Sequence, residues 1–286
     1  MSIEIRIPVT VVVPVKNEEK NLPACLDLLQ EFDEVIVVDS NSTDRTPAIV
    51  EKYHHKYVNF QWNGQFPKKR NWTLRNVPIR NKWVLFLDAD EFVTDAFKKE
   101  LAKVIQNTDN VGFWLHYTND FMGRVLKHGA CMPKLALFKV GAGEYEFIDE
   151  KAWSHLDMEI HEHPILDGKV GEIKAPIVHR EFRGLTHYIQ KHNDYSSWEA
   201  HRFLTMKDKK GELTFRQKVK YRFIDTWFLG FMYFCYSYFY KLGFLDGKMG
   251  YIYAAYKMQY FFNVKAKIEE IRVEETQSHK EMTDEN

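Results

Sequence analysis

Three short apolar runs limit this chain to a small set of folds. Val9 to Val15 is β-branched nearly throughout, and Glu34-Val-Ile-Val-Val-Asp39 and Trp83-Val-Leu-Phe-Leu-Asp88 follow the same pattern and close on a carboxylate. A strand with one wet face alternates apolar and polar residues, whereas an unbroken apolar run marks a strand covered on both faces, as in a parallel sheet between helices. The segments between the runs read as those helices. Asn21 and Pro23 fit a helix start, and Leu22, Cys25, Leu26, Leu28 and Leu29 fit one 3.6-residue face. Thr46-Pro47 opens a second helix through Lys52, and Pro67 to Arg75 supplies a third before the strand that ends at Asp88. Open sheets of this kind bind ligands at the carboxyl ends of their strands, so Asp39 and Asp88 are expected on one binding edge.

The third run continues into Asp88-Ala-Asp90-Glu91. Carboxylates two residues apart on an extended backbone point to the same side, and two of them can share one divalent cation. Hard cations such as Mg²⁺ or Mn²⁺ take oxygen ligands and complete their shells with phosphate oxygens, so the spacing suits a nucleoside diphosphate. A competing reading makes Asp88 the end of the strand and Asp90 the cap of a helix from Phe92 to Ile105.

After Ile105 the pattern becomes irregular. Val111 to Tyr117 and Lys134 to Lys139 read as strands, with Gly129 and Gly141 to Gly143 as turn signals. Another strand follows the turn at Gly168 and Gly171 and ends at His179. With 286 residues and 45% hydrophobic content the chain can bury a full α/β core and carry an appendage. Forty Lys and Arg balance forty Asp and Glu, so no global cationic field gathers nucleic acid and no nucleic-acid partner is expected. Cys25, Cys131 and Cys235 are odd in number and lack Cys-x-x-Cys spacing, which argues against disulfides and structural zinc and favours reduced cytosol. The N-terminal run reads as a first strand, not a signal peptide.

Val11-Val-Val-Pro-Val-Lys-Asn-Glu18, Val37-Val-Asp-Ser-Asn-Ser-Thr-Asp-Arg-Thr46, Lys69-Arg-Asn-Trp72 and Phe86-Leu-Asp-Ala-Asp-Glu91 together resemble the family 2 glycosyltransferases over about residues 8–180. Lys69-Arg-Asn71, Trp83 to Glu91, Ile160-His-Glu162 and Gly243-Phe-Leu-Asp-Gly247 are similar to the bacterial branch that builds lipopolysaccharide cores and other envelope polysaccharides. The resemblance implies an α/β, Rossmann-like GT-A domain with a mixed central sheet. It also implies an inverting hexosyl transfer from a nucleotide-diphosphate sugar, a UDP-sugar first of all, to a saccharide or lipid-linked saccharide, with Mg²⁺ or Mn²⁺ as cofactor.

By the same resemblance Pro14, Lys16 and Glu18 line the nucleotide pocket, and Asp39 accepts a hydrogen bond from the base. Lys69, Arg70 and Asn71 meet the diphosphate and nucleoside, Asp88 with Ala89 contacts ribose or metal, Asp90 binds the metal and His179 is a further metal ligand. Inversion needs a base on the acceptor hydroxyl, for which Glu162 is the first choice and Glu159 the second. The family's usual Glu-Asp pair is missing at this place. Asp44 reads as a turn residue ahead of Thr46.

Thr226 to Tyr240 is aromatic and uncharged, shorter than the ~20 residues a spanning helix needs, and flanked by Arg216, Lys218, Lys220, Arg222, Lys241 and Lys248. This pattern, and a second stretch from Tyr251 to Phe262, suit helices lying in a membrane interface. The expected organisation is a GT-A domain over 1–182 (nucleotide half 1–108, acceptor half 109–182), an interfacial helical segment over 183–270 and a disordered tail over 271–286. The expected location is cytoplasmic, peripheral on the inner face of the plasma membrane. A polyprenyl-phosphate glycosyltransferase and a non-catalytic donor-binding scaffold of a polysaccharide assembly complex are the alternatives.

Overall fold

The computed structural model describes residues 6–129, 133–148, 157, 163–180, 184–205 and 215–284. The chain divides into two compact units. The first holds 1–120, 131–151 and 155–182; the second holds 121–130, 152–154 and 183–286.

The first unit is built on a mixed sheet. Its strands are β1 (Ile7–Val15), β2 (Phe32–Asp39), β3 (Lys56–Asn59), β4 (Trp83–Phe86), β5 (Glu91–Phe92), β6 (Gly112–Phe121), β8 (Lys134–Lys139) and β11 (Val170–Arg180). Their spatial order is β3-β2-β1-β4-β8-β6-β11-β5. The pairs β1/β2, β1/β4, β2/β3 and β6/β11 are parallel, while β8 runs antiparallel to β4 and β6, and β5 antiparallel to β11. A separate two-stranded ribbon pairs β9 (Gly143–Tyr145) with β10 (Pro164–Leu166).

Both faces of the sheet are covered, as the unbroken apolar runs require. Val9, Val11 and Val13 pack on one side with Leu22 and Leu26 of α1 (Leu22–Asp27), Val50 of α2 (Thr46–Lys52) and Phe97 and Leu101 of α4 (Asp95–Val104). Val12, Ile36, Val84 and Phe86 face the other side, where Trp72 and Leu74 of α3 (Lys69–Asn76) and Phe138 and Tyr145 close over them. Each fully buried large side chain contributes roughly 1.5–3 kcal/mol. The three leading parallel strands therefore occur as the sequence pattern anticipates, and their carboxyl ends share one edge.

Helix α4 begins later than a helix capped by Asp90 would. Thr94 is its cap, accepting from Phe97 N at 3.1 Å and donating to Pro176 O at 3.0 Å, and Glu91–Phe92 is a strand paired with Val178 and His179. Asp90 is thus free of the capping role, because a threonine directly before Asp95 supplies it.

The second unit is helical: α5 (Gly184–Thr205), α6 (Phe215–Phe223), α7 (Leu229–Cys235) and α8 (Gly247–Asp284), with a π-helical turn over Tyr236–Tyr240 and a 3-10 turn over Gly243–Asp246. The short strand β7 (Arg124–Leu126) belongs to it. Ala200, Ile224, Val264 and Ile268 form its core, with Phe203, Leu229, Tyr260 and Ile271 packed around them. Helix α8 runs through Asp284, where a disordered tail from 271 was expected. The cause is tertiary: Ile271 joins the core and Arg272 pairs with Asp225 at 2.7 Å, so the stretch is anchored after the sequence turns polar. Among the described residues no helix is long and apolar enough to cross a membrane.

Candidate active site

The loops after β1 and β2 are locked to each other. Asp44 takes Glu19 N at 3.1 Å and Thr46 N at 2.9 Å, Thr46 Oγ1 takes Glu18 N at 2.9 Å, and Asn17 exchanges bonds with Ser42 and Thr43 at 2.8 Å each. These bonds hold the Asp44 carboxyl below its ordinary value against the opposing effect of burial. Asn17 and Asn41 adopt positive φ, 56° and 54°, which asparagine tolerates better than most residues. Pro14 is buried, Glu18 half-buried and Lys16 exposed, so this corner offers solvent a cation and a carboxylate.

Asp39 ends β2 with no exposed surface. Its oxygens accept from Ser42 N at 3.1 and 3.2 Å, from Ser42 Oγ and from Tyr57 OH at 2.8 Å. Burial and then this bond push the Tyr57 phenol up to about 12. The carboxylate serves first to fix the loop that follows it.

The basic segment at the start of α3 splits by direction. Lys69 is buried; its ammonium donates to Val15 O at 3.0 Å and lies 3.7 Å from Asp157, and burial lowers its pKa. Arg70 reaches Asp88 Oδ1 at 2.9 Å and lies over the Tyr145 ring at 5.3 Å. Asn71 is fully buried, with Oδ1 accepting from Tyr145 N at 2.8 Å and Nδ2 donating to Tyr145 O at 2.9 Å. Both ends of its amide therefore act as a strand partner for β9.

Asp88 and Asp90 stand in different surroundings. Asp88 is paired with Arg70 and also receives Lys134 Nζ at 3.2 Å. The same ammonium bridges to Glu91, whose side chain is 1% exposed. Burial raises the Glu91 carboxyl, opposed by Lys134; burial would lower Lys134, but Glu91 and Asp88 outweigh it and hold the amine well above its usual value. Ala89 is buried between the two aspartates.

Asp90 faces His179 instead. The antiparallel register of β5 and β11 sets His179 opposite Glu91 and brings His179 Nε2 to 3.3 Å from Asp90 Oδ2. Both side chains are partly exposed. Burial would lower the imidazole's pKa, but the hydrogen bond to Asp90 and the nearby carboxylates raise it.

This oxygen-nitrogen pair fits a divalent cation whose remaining positions are filled by phosphate oxygens and water. Asp88, engaged by two cations of the chain, holds the neighbouring positive charges in place. Among the described residues no three metal-ligating side chains cluster.

The structure thus gathers Asp88, Asp90, His179, Arg70 and Lys69 on the carboxyl edge of the sheet, with Lys16 and Glu18 on the loop after β1. Glu162 and Glu159, the expected bases, lie outside the described residues. Lys134 and Glu91 are absent from the sequence-derived set. Glu91 stands inside the acidic motif, but nothing local marks Lys134 as the partner of a residue 43 positions earlier.

Residues 10–149 match the glycosyl transferase family 2 and form a domain of that family. The lipopolysaccharide core biosynthesis glycosyltransferase LpsC of Rhizobium meliloti is 25% identical over 204 residues, which cover 68% of this chain and 71% of LpsC. The poly(ribitol-phosphate) beta-N-acetylglucosaminyltransferase TarS of Staphylococcus aureus is 36% identical over 107 residues, 34% of this chain and 18% of TarS. The chain therefore spans most of LpsC but less than a fifth of TarS. The solved structure of mannosyltransferase PcManGT from Pyrobaculum calidifontis in complex with GDP-Man and Mn²⁺ aligns with a TM-score of 0.53 at 16% identity, covering 92% of this chain and 87% of that one. At that identity the likeness is one of fold, a GT-A arrangement around a mixed sheet.

Proposed function

We propose that this glycosyl transferase family 2 domain moves a sugar, with inversion, from a nucleoside-diphosphate donor to a saccharide acceptor of an envelope or surface polysaccharide. The observation that carries the reading is the Asp90–His179 pair, 3.3 Å apart and partly exposed, in the motif that also holds Asp88 with Arg70 and Lys134. Those groups form a compact alternation of charge suited to a diphosphate and one divalent cation. Asp90 and His179 would hold the cation, which when bound stabilises the negative charge that develops on the leaving diphosphate.

The chain's own residues supply the rest. Arg70 and Lys134 orient Asp88, Lys69 ties the end of β1 to the start of α3, and Lys16 and Glu18 border the nucleotide. Asp39 shapes the base pocket by fixing Ser42 and Tyr57. A single displacement requires a carboxylate to take the acceptor hydroxyl proton, a role assigned to Glu162 with Glu159 as second choice. The similarity to LpsC supports an acceptor in lipopolysaccharide or a related glycan, presented on a lipid.

The test is a panel of UDP- and GDP-sugars with Mn²⁺ or Mg²⁺. One donor should raise the melting temperature in a metal-dependent way, since a ligand at a hundredfold its Kd stabilises by about 2.7 kcal/mol. The shift and metal-dependent donor hydrolysis should vanish in Asp90→Asn. Absence of any nucleotide-induced shift would overturn the reading. Glu162→Gln should retain the shift and lose transfer.

A further inference from the structure

The second unit exposes an aromatic ridge that its own core does not use. Trp227, Phe228 and Phe231 are 55%, 66% and 54% exposed, and Phe239, Tyr240 and Leu245 are 57%, 75% and 56% exposed. These side chains come from 19 consecutive positions spanning α7 and the two turns after it. The inward face of the same stretch is already satisfied: Leu229 packs in the core, and Gly230 lies so close to α8 that an added Cβ would sit 2.6 Å from Met258 O. The ridge is therefore the surplus face of a packed element. Phe228 and Phe231 meet edge-on at 5.8 Å, and Phe239 packs edge-on with Phe234 and Tyr238 at 6.2 and 5.1 Å; exposed apolar side chains gathered in this way mark an interaction site.

Leu242, which follows the π-helical turn and Lys241, adopts φ 58°, a left-handed conformation uncommon outside glycine, and its side chain is 45% exposed. Sequence pattern alone suggested two equivalent interfacial helices. The second, Tyr251 to Phe262, belongs to α8, where Ala254 is buried while Tyr251 and Phe262 at its two ends are 53% and 49% exposed.

Charge selects the occupant. Between residues 218 and 262 the only carboxylates are Asp225 and Asp246. Asp225 is taken by Lys265 at 2.9 Å and Arg272 at 2.7 Å, and Asp246 by the backbone N–H groups of Lys127 and His128 at 3.0 and 2.8 Å. By contrast Lys218, Lys241 and Lys248 are exposed and have no carboxylate partner among the described residues. Lys241 places its ammonium over the Tyr236 and Tyr240 rings at 5.7 and 5.8 Å. Aromatic rings with a cation at their rim match the headgroup zone of a bilayer, where rings sit at the interface and amines meet lipid phosphate. A second copy of this surface would bring like charges together.

We propose that the ridge from Trp227 to Leu245, which carries Lys241 and is followed by Lys248, docks in the interface of an anionic lipid bilayer. The ridge inserts its rings and leaves the backbone parallel to the surface, which no helix of the described residues is built to cross. This inference does not depend on which donor the first unit binds.

Flotation of the full chain with phosphatidylglycerol-containing vesicles tests it. The chain should float at 0.1 M salt, lose at least tenfold in partitioning at 0.5 M salt, and fail to float with neutral phosphatidylcholine alone. Phe228→Ser/Phe239→Ser/Leu245→Ser should lose tenfold or more, and Lys241→Gln/Lys248→Gln several-fold, each with unchanged circular dichroism and unchanged donor-induced thermal shift. If the triple variant misfolds, the lysine pair alone decides. Equal flotation on neutral and anionic vesicles, no flotation on either, or a concentration-dependent dimer abolished by Phe228→Ser would overturn the proposal.

Discussion

Asn71 sits in a basic segment that reads as nucleoside-binding, yet its amide is spent on the backbone of Tyr145. The substitution Asn71→Ala separates the two roles. It would orphan a buried N–H and a buried carbonyl, the partners at 2.8 and 2.9 Å. Each buried group left unmade costs about 1–3 kcal/mol. The expected loss is therefore about 2–6 kcal/mol, with the lower half favoured because β9 is only three residues long and water can reach its ends. A change of 1 kcal/mol moves the melting temperature of a domain of this size by about 2–4 °C, so a fall of roughly 5–15 °C is expected.

Tyr145 also packs edge-on against Phe86 at 5.6 Å and lies under Arg70, while Arg70 stays tied to Asp88 at 2.9 Å, so the active edge should change little. The assay pairs urea unfolding with donor titration at a temperature where the variant stays folded. Large destabilisation with a donor Kd within about threefold of the parent supports the strand-partner role. A variant with unchanged melting temperature and abolished donor binding would refute it and return Asn71 to the nucleoside.

Four further outcomes are expected. Lys134→Met leaves Glu91 buried without its cation and should cost about 3 kcal/mol, the low end for a broken buried pair because the lysine stem is 46% exposed; adding Glu91→Gln should recover most of the loss in the same unfolding assay. Asp225 has its carboxyl held below the usual range by Arg272 and then by Lys265, so its contribution is present above the unfolded value of 3.8 and lost as pH falls through the lowered folded value. Asp225→Asn should flatten that acid limb of the stability curve. Gly250→Ala would put a Cβ 2.0 Å from Gly243 O and should lower the melting temperature markedly, with the change read in the helical signal. Thr94→Ala removes the α4 cap and should cost about 1 kcal/mol by urea unfolding, with little change in donor binding.

The strand ends were legible in the sequence because few physical situations produce them. A run such as Val9 to Val15 must be covered on both faces, so its helices and the shared carboxyl edge follow from pattern alone, and Asp39, Asp88 and Asp90 fall on that edge. Thr94 was equally local, a cap residue directly before Asp95, and weighing it against Asp90 would have placed the start of α4. Whether a polar side chain at the edge faces a ligand or the protein's own backbone is another matter. Asn71 and Lys69 carry the right chemistry for a nucleotide, and only their burial, fixed by β9 and by Val15, shows where that chemistry is used.

Contacts between Asp90 and His179, or between Glu91 and Lys134, depend on the order β4-β8-β6-β11-β5 and on one antiparallel register. No periodicity encodes that order, since each strand would look the same in another position. The same logic explains α8: the stretch after 271 is polar by composition, and its helix persists because Asp225, 47 residues earlier, waits for Arg272. Residue type at a strand end therefore narrows the chemistry, while pairing decides which neighbours each carboxylate meets. Here pairing sets Asp88 against Arg70 and Lys134 and sets Asp90 against His179, a division that two identical side chains could not reveal on their own.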